Sequence, residues 1–406
     1  MRIIVIAVVF LSVIAGCGPG GQDAAAEDPR GLSWDEIEER ARGTEVNLMM
    51  WQGDPFINKY MTEFVRPALE QQYGITLNIS GGQGTQIVSL LLAEKEAGKK
   101  TGAIDLGWIN GETFYQLRQI DGLFGPYADK LPNAAYIDWD NPFINTDFQQ
   151  PVNGMECPWG NVQLAFIYDT LRAPQPPASF DDIPAYVAAH PGVFTIPNEF
   201  TGMTILKSWM MALAGDNSLF EGAFSEEVYK RYSTRLWQTI NEIKPAFWKE
   251  GKTFPETLSA LHQMFANGEV NFTFSNNDGE VDNKVNLGFF PATARSYVPY
   301  PGTIQNSHYM GITFNAPNKP GAMAVVNFLI SANAQLQKFN PDVWGDGTVL
   351  DMEKLPEEWR EKFKSLPSRR YAPRREAIQD RALMEPAPEY MIRLYEDFRK
   401  YVIEAD

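Results

Sequence analysis

Thiols and imidazoles are scarce in this chain. Its 406 residues include two cysteines, Cys17 and Cys157, and three scattered histidines, His190, His262 and His308. That poverty excludes a disulfide-stapled scaffold and offers no cluster with metal-ligand spacing. A phosphate-binding lysine loop, a hydrolase nucleophile elbow and an internal repeat are likewise missing. The apolar run from Ile3 to Ala15 is too short to span a bilayer as a helix, which takes about 20 apolar residues. Basic residues are in deficit, with 35 Lys and Arg against 51 Asp and Glu, a net charge of −16. Such a surface repels nucleic acid and anionic lipid, favours cationic partners and serves solubility.

What is present begins with a leader. Arg2, the short apolar run and the small residues before Cys17 read as a secretory signal over 1–16. Ile14-Ala15-Gly16-Cys17 matches the bacterial lipobox, and by that resemblance Cys17 is the acylated first residue of the mature chain. Loss of Arg2 makes that mature chain one unit more negative, and Cys157 is then its only side-chain thiol. Residues 17–32 are mostly small and polar without an apolar period, and are expected to form a flexible, disordered tether. The remainder, with the chain's 44% hydrophobic and 13% aromatic content, is long enough for two packed domains.

Strand and helix signals alternate along it. Ser33-Trp34-Asp35-Glu36 is a capping box opening a helix that closes near Gly43. Val46 to Trp51 reads as a buried strand, and Asp54-Pro55 caps a long helix running to Gly74. A strand over Ile75 to Ile79, the turn Gly81 to Gly84 and a helix over Thr85 to Ala97 follow. Ile104 to Trp108 is a third strand, leading through Asn110-Gly111 into a helix. After a strand over Val162 to Tyr168 and a Pro-rich stretch, a second series begins. It has a strand over Phe194 to Pro197 and helices over Thr201 to Ala214, Glu226 to Ile243 and Phe254 to Asn267. A strand over Val270 to Ser275, a return strand over Tyr309 to Asn315 and helices over Ala322 to Ser331 and Pro388 to Ile403 complete it. Repeated strand-turn-helix units predict an α/β fold of mostly parallel sheets flanked by helices.

In open α/β sheets a ligand sits beyond the carboxyl ends of the strands, so the loops there collect the candidate site. From the first series these are Trp51, Gln52, Gly82, Gln83, Trp108 and Asn110. From the second they are Glu199, Phe200, Thr201, Asn276, Asn277 and Asp278. Trp159, in an irregular Pro-Trp-Gly segment, fits a cleft wall and a core plug equally. Tyr297 and Tyr300 are candidates for a further wall. Aromatic platforms with amide and hydroxyl groups suit a small polar or cationic organic molecule. Glu199 and Asp278 are the acids best placed by loop position to meet a cation, and each also fits a solvated turn. A cation between aromatic faces and one acid is a sound arrangement, with thiamine or a polyamine as examples. Asp54 reads as a helix cap and Asp105 as structural. Gly-Gly-Gln-Gly lacks the dinucleotide spacing and reads as a tight turn. Arg369-Arg370 and Arg374-Arg375 form a basic cluster that pairs with acids or faces solvent, with a membrane or permease contact as the sharper reading.

At these loops the chain resembles the YnjB-type solute-binding proteins of ABC importers across almost its whole length. The resemblance rests on Asp105 to Gly111, Cys157-Pro158-Trp159, Phe254-Pro255-Glu256 and Gly302 to Asn306. It continues through Gly321-Ala322-Met323, Asn327-Phe328-Leu329 and Val343 to Asp346. It implies a two-lobed periplasmic-binding-protein-like fold that closes on a solute by hinge motion and is read by ABC permease subunits. It carries over no catalytic residue and no cofactor, so no enzyme is expected. Lobe one is then 33–163, completed by about 309–345, and lobe two 164–308, with the 346–406 helices packed outside and a cleft-edge element near Pro299 to Gly302. The expected molecule is an exported, lipid-anchored monomer that binds no nucleic acid and no metal. A ligand-binding surface sensor uses the same fold, and a secreted hydrolase would require paired acids in one cleft.

Overall fold

The computed structural model describes residues 28–405. The leader, Cys17 and most of the tether lie outside the described residues. The end of the tether departs from the expected flexibility: Pro29 is buried, and the Arg30 guanidinium lies 5.0 Å from the Phe124 ring centroid and donates to the Gly125 carbonyl.

In chain order the strands are β1 (Glu45–Met50), β2 (Thr76–Gly81), β3 (Leu106–Ile109), β4 (Thr146–Asp147), β5 (Gln150–Pro151) and β6 (Cys157–Gln163). They continue as β7 (Ala165–Asp169), β8 (Phe272–Ser275), β9 (Ala294–Tyr297), β10 (Thr303–Ile312) and β11 (Ala382–Met384). One six-stranded sheet runs β11-β10-β3-β1-β2, with β6 also paired to β10. Its β1, β2 and β3 are parallel, as the strand-helix alternation predicts. Helices cover both faces: Leu48, Leu106 and Met310 pack into one apolar core, and Ile87, Ile109 and Tyr309 into another.

The local signals explain where elements begin and end. Ser33 and Glu36 form the reciprocal cap of helix Trp34–Ala41. Asp54 accepts from the Phe56 and Ile57 amides at 2.7 and 3.1 Å, opening a helix that runs through Pro55–Lys59, a π-helical stretch Tyr60–Val65 and Arg66–Tyr73. Gly74 ends it at φ 68°, a left-handed conformation that favours glycine.

The second sheet, β8-β7-β9, corrects the expectation of a parallel one, because both of its pairings are antiparallel. Alternation of strand and helix reports that a chain returns to a sheet, but not in which direction it re-enters. Phe194 to Pro197 forms no strand either. The carbonyls of Val193 and Phe194 accept from the Asn271 and Trp248 amides, and Pro197 has no N–H to extend a ladder.

Between the two sheets the chain passes with almost no connector. β6 belongs to the first sheet and β7 to the second, with Leu164 alone between them. The return passes from β9 to β10, and the two crossings are tied where the Leu164 amide donates to the Ile304 carbonyl at 2.9 Å and the Thr303 hydroxyl to the Leu164 carbonyl at 2.5 Å. The C-terminal segment does more than cover the outside. It adds edge strand β11 to the first sheet, then crosses to place Tyr390, Leu394 and Phe398 of helix Pro388–Phe398 in the core around the second. Among the described residues no helix is long and apolar enough to cross a membrane, and no group of three or more His, Cys, Asp or Glu residues is placed to hold a metal.

Candidate functional site

A cleft of about 250 Å³ opens where strand ends and helix starts of both sheets face each other. β1 delivers Trp51 to it, and β3 delivers Trp108 and Asn110. The turn after β2 brings Gly82 and Gln83, and β8 brings Asn276 and Asn277. Glu199, Phe200 and Thr201 enter at the start of helix Phe200–Ala214. Close approach is built into the backbone: a Cβ at Gly84 would overlap the Thr113 hydroxyl, and one at Gly53 the Trp51 indole.

Five other candidates lie off the cleft wall. Trp159 is a core plug, fully buried behind the site and edge-on to Trp108 at 5.0 Å. Gln52 is exposed, and its backbone carbonyl accepts from the Asn58 side-chain Nδ2. Tyr297 packs in the second sheet against Phe166 and Tyr168, and Tyr300 is 60% exposed. Asp278 is consumed by structure. It is buried, accepts from the Gln163 amide at 3.1 Å, and pairs with Arg369 at 2.5 Å and Arg375 at 2.8 Å. Burial opposes its ionisation, but the two guanidiniums overcome that and hold the carboxyl far below its ordinary value. Its charge is spent on these two partners and is not free for a ligand.

Several lining residues were not anticipated. Trp344 and His308 stack 6.0 Å apart and, with Trp108, form an aromatic wall. Beneath it Asp346 takes the His308 ring nitrogen at 3.0 Å and the Lys338 ammonium at 2.5 Å. A Cβ at Gly160 would overlap both His308 and Asp346. Tyr395 reaches the cleft from the last helix. Glu112, in the first turn of helix Gly111–Gln119, was legible in principle as the acid two residues past the strand-end Asn110.

The charged side chains of the lining are acidic. Glu112, Glu199, Glu280 and Asp346 line the cleft, while among the described residues no lysine or arginine does. Asp346 and Glu280 already hold lysines, the latter Lys284 at 3.2 Å. Glu199 caps its own helix, accepting from the Thr201 and Gly202 amides at 2.8 and 3.3 Å, yet burial raises its carboxyl to about 7. Burial also raises Glu112 to about 7, with Lys207 only partly opposing it. Both carboxyls are therefore poised between neutral and charged near neutral pH, and a positive charge in the cleft would favour the charged form.

Residues 64–365 match the model of the bacterial extracellular solute-binding proteins. The chain is 35% identical over 336 residues to protein YnjB of Escherichia coli K12, covering 82% of this chain and 86% of that one. Its fold is similar to that of the TpPotD lipoprotein of Treponema pallidum, with a TM-score of 0.64 at 13% identity over 88% of this chain and 99% of that one. The spermidine/putrescine ABC transporter substrate-binding protein PotD of Streptococcus pneumoniae, solved with calcium and HEPES, gives 0.61 at 16% identity with the same coverage of both chains. Two sheets joined by crossing strands around an aromatic cleft are thus the periplasmic-binding-protein-like fold, and the chain belongs to the bacterial extracellular solute-binding proteins.

Proposed function

We propose that this protein captures a small organic cation between its two lobes by hinge closure and presents it to an ABC permease. The observation that carries the reading is the cleft lining, which among the described residues has tryptophan faces, four carboxyl side chains and no lysine or arginine; Lys338 and Lys284 pair with Asp346 and Glu280, and Glu112 keeps an oxygen without a partner. A cation gains there from ring faces and from carboxylates, and more once closure of the lobes excludes water. The polyamine name of the Streptococcus pneumoniae relative agrees with a cationic cargo. Thiamine and polyamines are the compounds to test first. Calorimetric titration with thiamine, putrescine and spermidine, alongside anionic and neutral solutes, decides the matter. Binding of anions or neutral solutes without binding of cations refutes the reading.

The same proposal places the receptor at the cell envelope as a monomer, tethered through acylated Cys17. Expression in a bacterium with labelled fatty acid should mark the wild-type chain and leave Cys17→Ser unlabelled and released from the membrane fraction. Equal labelling of both removes the anchor.

A further inference from the structure

Three polar atoms in the cleft wall are buried without a hydrogen-bond partner: Asn110 Oδ1, Glu112 Oε2 and Asn277 Nδ2. Buried polar groups are ordinarily satisfied, so unsatisfied atoms on three residues that line one cavity describe the ligand that completes them as the site closes. The carboxyl oxygen is the informative acceptor. Asp346, Glu280 and Glu199 already hold lysine or backbone partners, whereas Glu112 Oε2 holds none. The nearby Lys207 ammonium is committed elsewhere, to Glu385 at 2.7 and 3.0 Å. The first turn of its helix supplies a positive dipole end that favours the ionised carboxylate.

The amide across the cleft is equally specific. Asn277 Oδ1 accepts from the Gly279 amide at 3.0 Å, which fixes the side chain so that the unsatisfied group is the Nδ2 donor. A donor requires an acceptor on the ligand. The two walls therefore ask for opposite things.

Resting on the cation reading, we propose that Glu112 and Asn277 are the polar anchors of the ligand, which is an organic cation carrying N–H donors for Glu112 and a separate hydrogen-bond acceptor for Asn277. Asn110, beside Glu112, takes a second N–H. A quaternary ammonium has no N–H to give Glu112. A simple diamine leaves Asn277 unpaired when the cleft closes. A site that hydrogen-bonds its ligand rejects analogues lacking the group, because its own buried polar atoms are stranded.

The test uses the ligand-free full chain, with tryptophan fluorescence and calorimetry at pH 8. Probes are 4-aminobutanamide and putrescine, matched in length, the amide carrying the acceptor and one positive charge fewer, so that charge alone in an acidic cleft would favour putrescine; thiamine, choline and succinate are alongside. Thiamine and 4-aminobutanamide should bind at least ten-fold more tightly than choline and putrescine. Glu112→Gln should weaken them ten-fold or more. So should Asn277→Asp, which keeps the acceptor for the Gly279 amide and reverses the donor. Circular dichroism checks that both variants are folded. Cations that bind with no preference, or with affinities unmoved by these variants, overturn the inference while leaving cation capture standing. Binding of succinate alone, or of no probe, overturns both.

Discussion

Replacing Glu112 by glutamine should stabilise the ligand-free protein at pH 8 and leave it nearly unchanged at pH 5. Burial raises this carboxyl from 4.5 to about 7 in the folded chain. Protonated Glu112 contributes stability that is fully present below the unfolded value of about 4.5 and is lost as pH rises through about 7. Full loss corresponds to about 3 kcal/mol, and residual solvent contact of the side chain reduces it to about 1–3 kcal/mol. Glutamine resembles the protonated acid in shape and charge, so the variant escapes the loss. At about 2.1 cal/mol/K of unfolding entropy per residue, a 406-residue chain unfolds with about 0.85 kcal/mol/K, so the Tm should rise by about 1–4 °C at pH 8. Differential scanning calorimetry at both pH values, with dialysed protein, reads this directly. A lower Tm at pH 8, or the same gain at both pH values, would refute the idea that the cleft holds a carboxyl at a cost until a cation arrives. The same titration makes cation affinity rise with pH: a site that needs ionised Glu112 should bind about ten-fold more tightly at pH 8 than at pH 6.

Other variants probe the frame around the cleft. Asp278→Ala leaves Arg369 and Arg375 without their carboxylate and should cost about 3–5 kcal/mol in urea unfolding, whereas a loss under 1 kcal/mol contradicts the assignment. Lys207→Met strands buried Glu385 and should cost a similar amount, while adding Glu385→Leu recovers most of it. A double variant as unstable as the single one argues against a simple ion pair. Lys284 pairs with Asp54 from the opposite side of the cleft, so Lys284→Met should speed ligand release about ten-fold or more in stopped-flow fluorescence, and an unchanged off-rate denies the pair a part in closure. Trp344→Ala removes one aromatic face and should weaken cation binding about ten-fold, with unchanged affinity placing the ligand elsewhere.

How much of this was legible varies with the distance over which each property is decided. The caps at Ser33 and Asp54 and the stop at Gly74 depend on bonds spanning a few residues, so sequence spacing names them. The loops after β1, β2 and β3 were readable because consecutive parallel strands carry their ends to one edge of the sheet. Asp278 was misread because its partners Arg369 and Arg375 lie some ninety residues downstream, and proximity in space has no local signal. Trp159 was undecidable because a tryptophan one layer behind the wall has the same neighbours in sequence as one on it.

The sequence alone therefore determined the class of protein, the alternation of its elements and most of the cleft's aromatic and amide furniture, since these follow from periodicity, capping and strand ends. Tertiary structure decided which carboxyls remain available to a ligand. Every acid carries the same formal charge in a sequence, but burial and ion pairing leave Asp278 spent on two arginines and Glu112 in the cleft lining with a buried oxygen unclaimed.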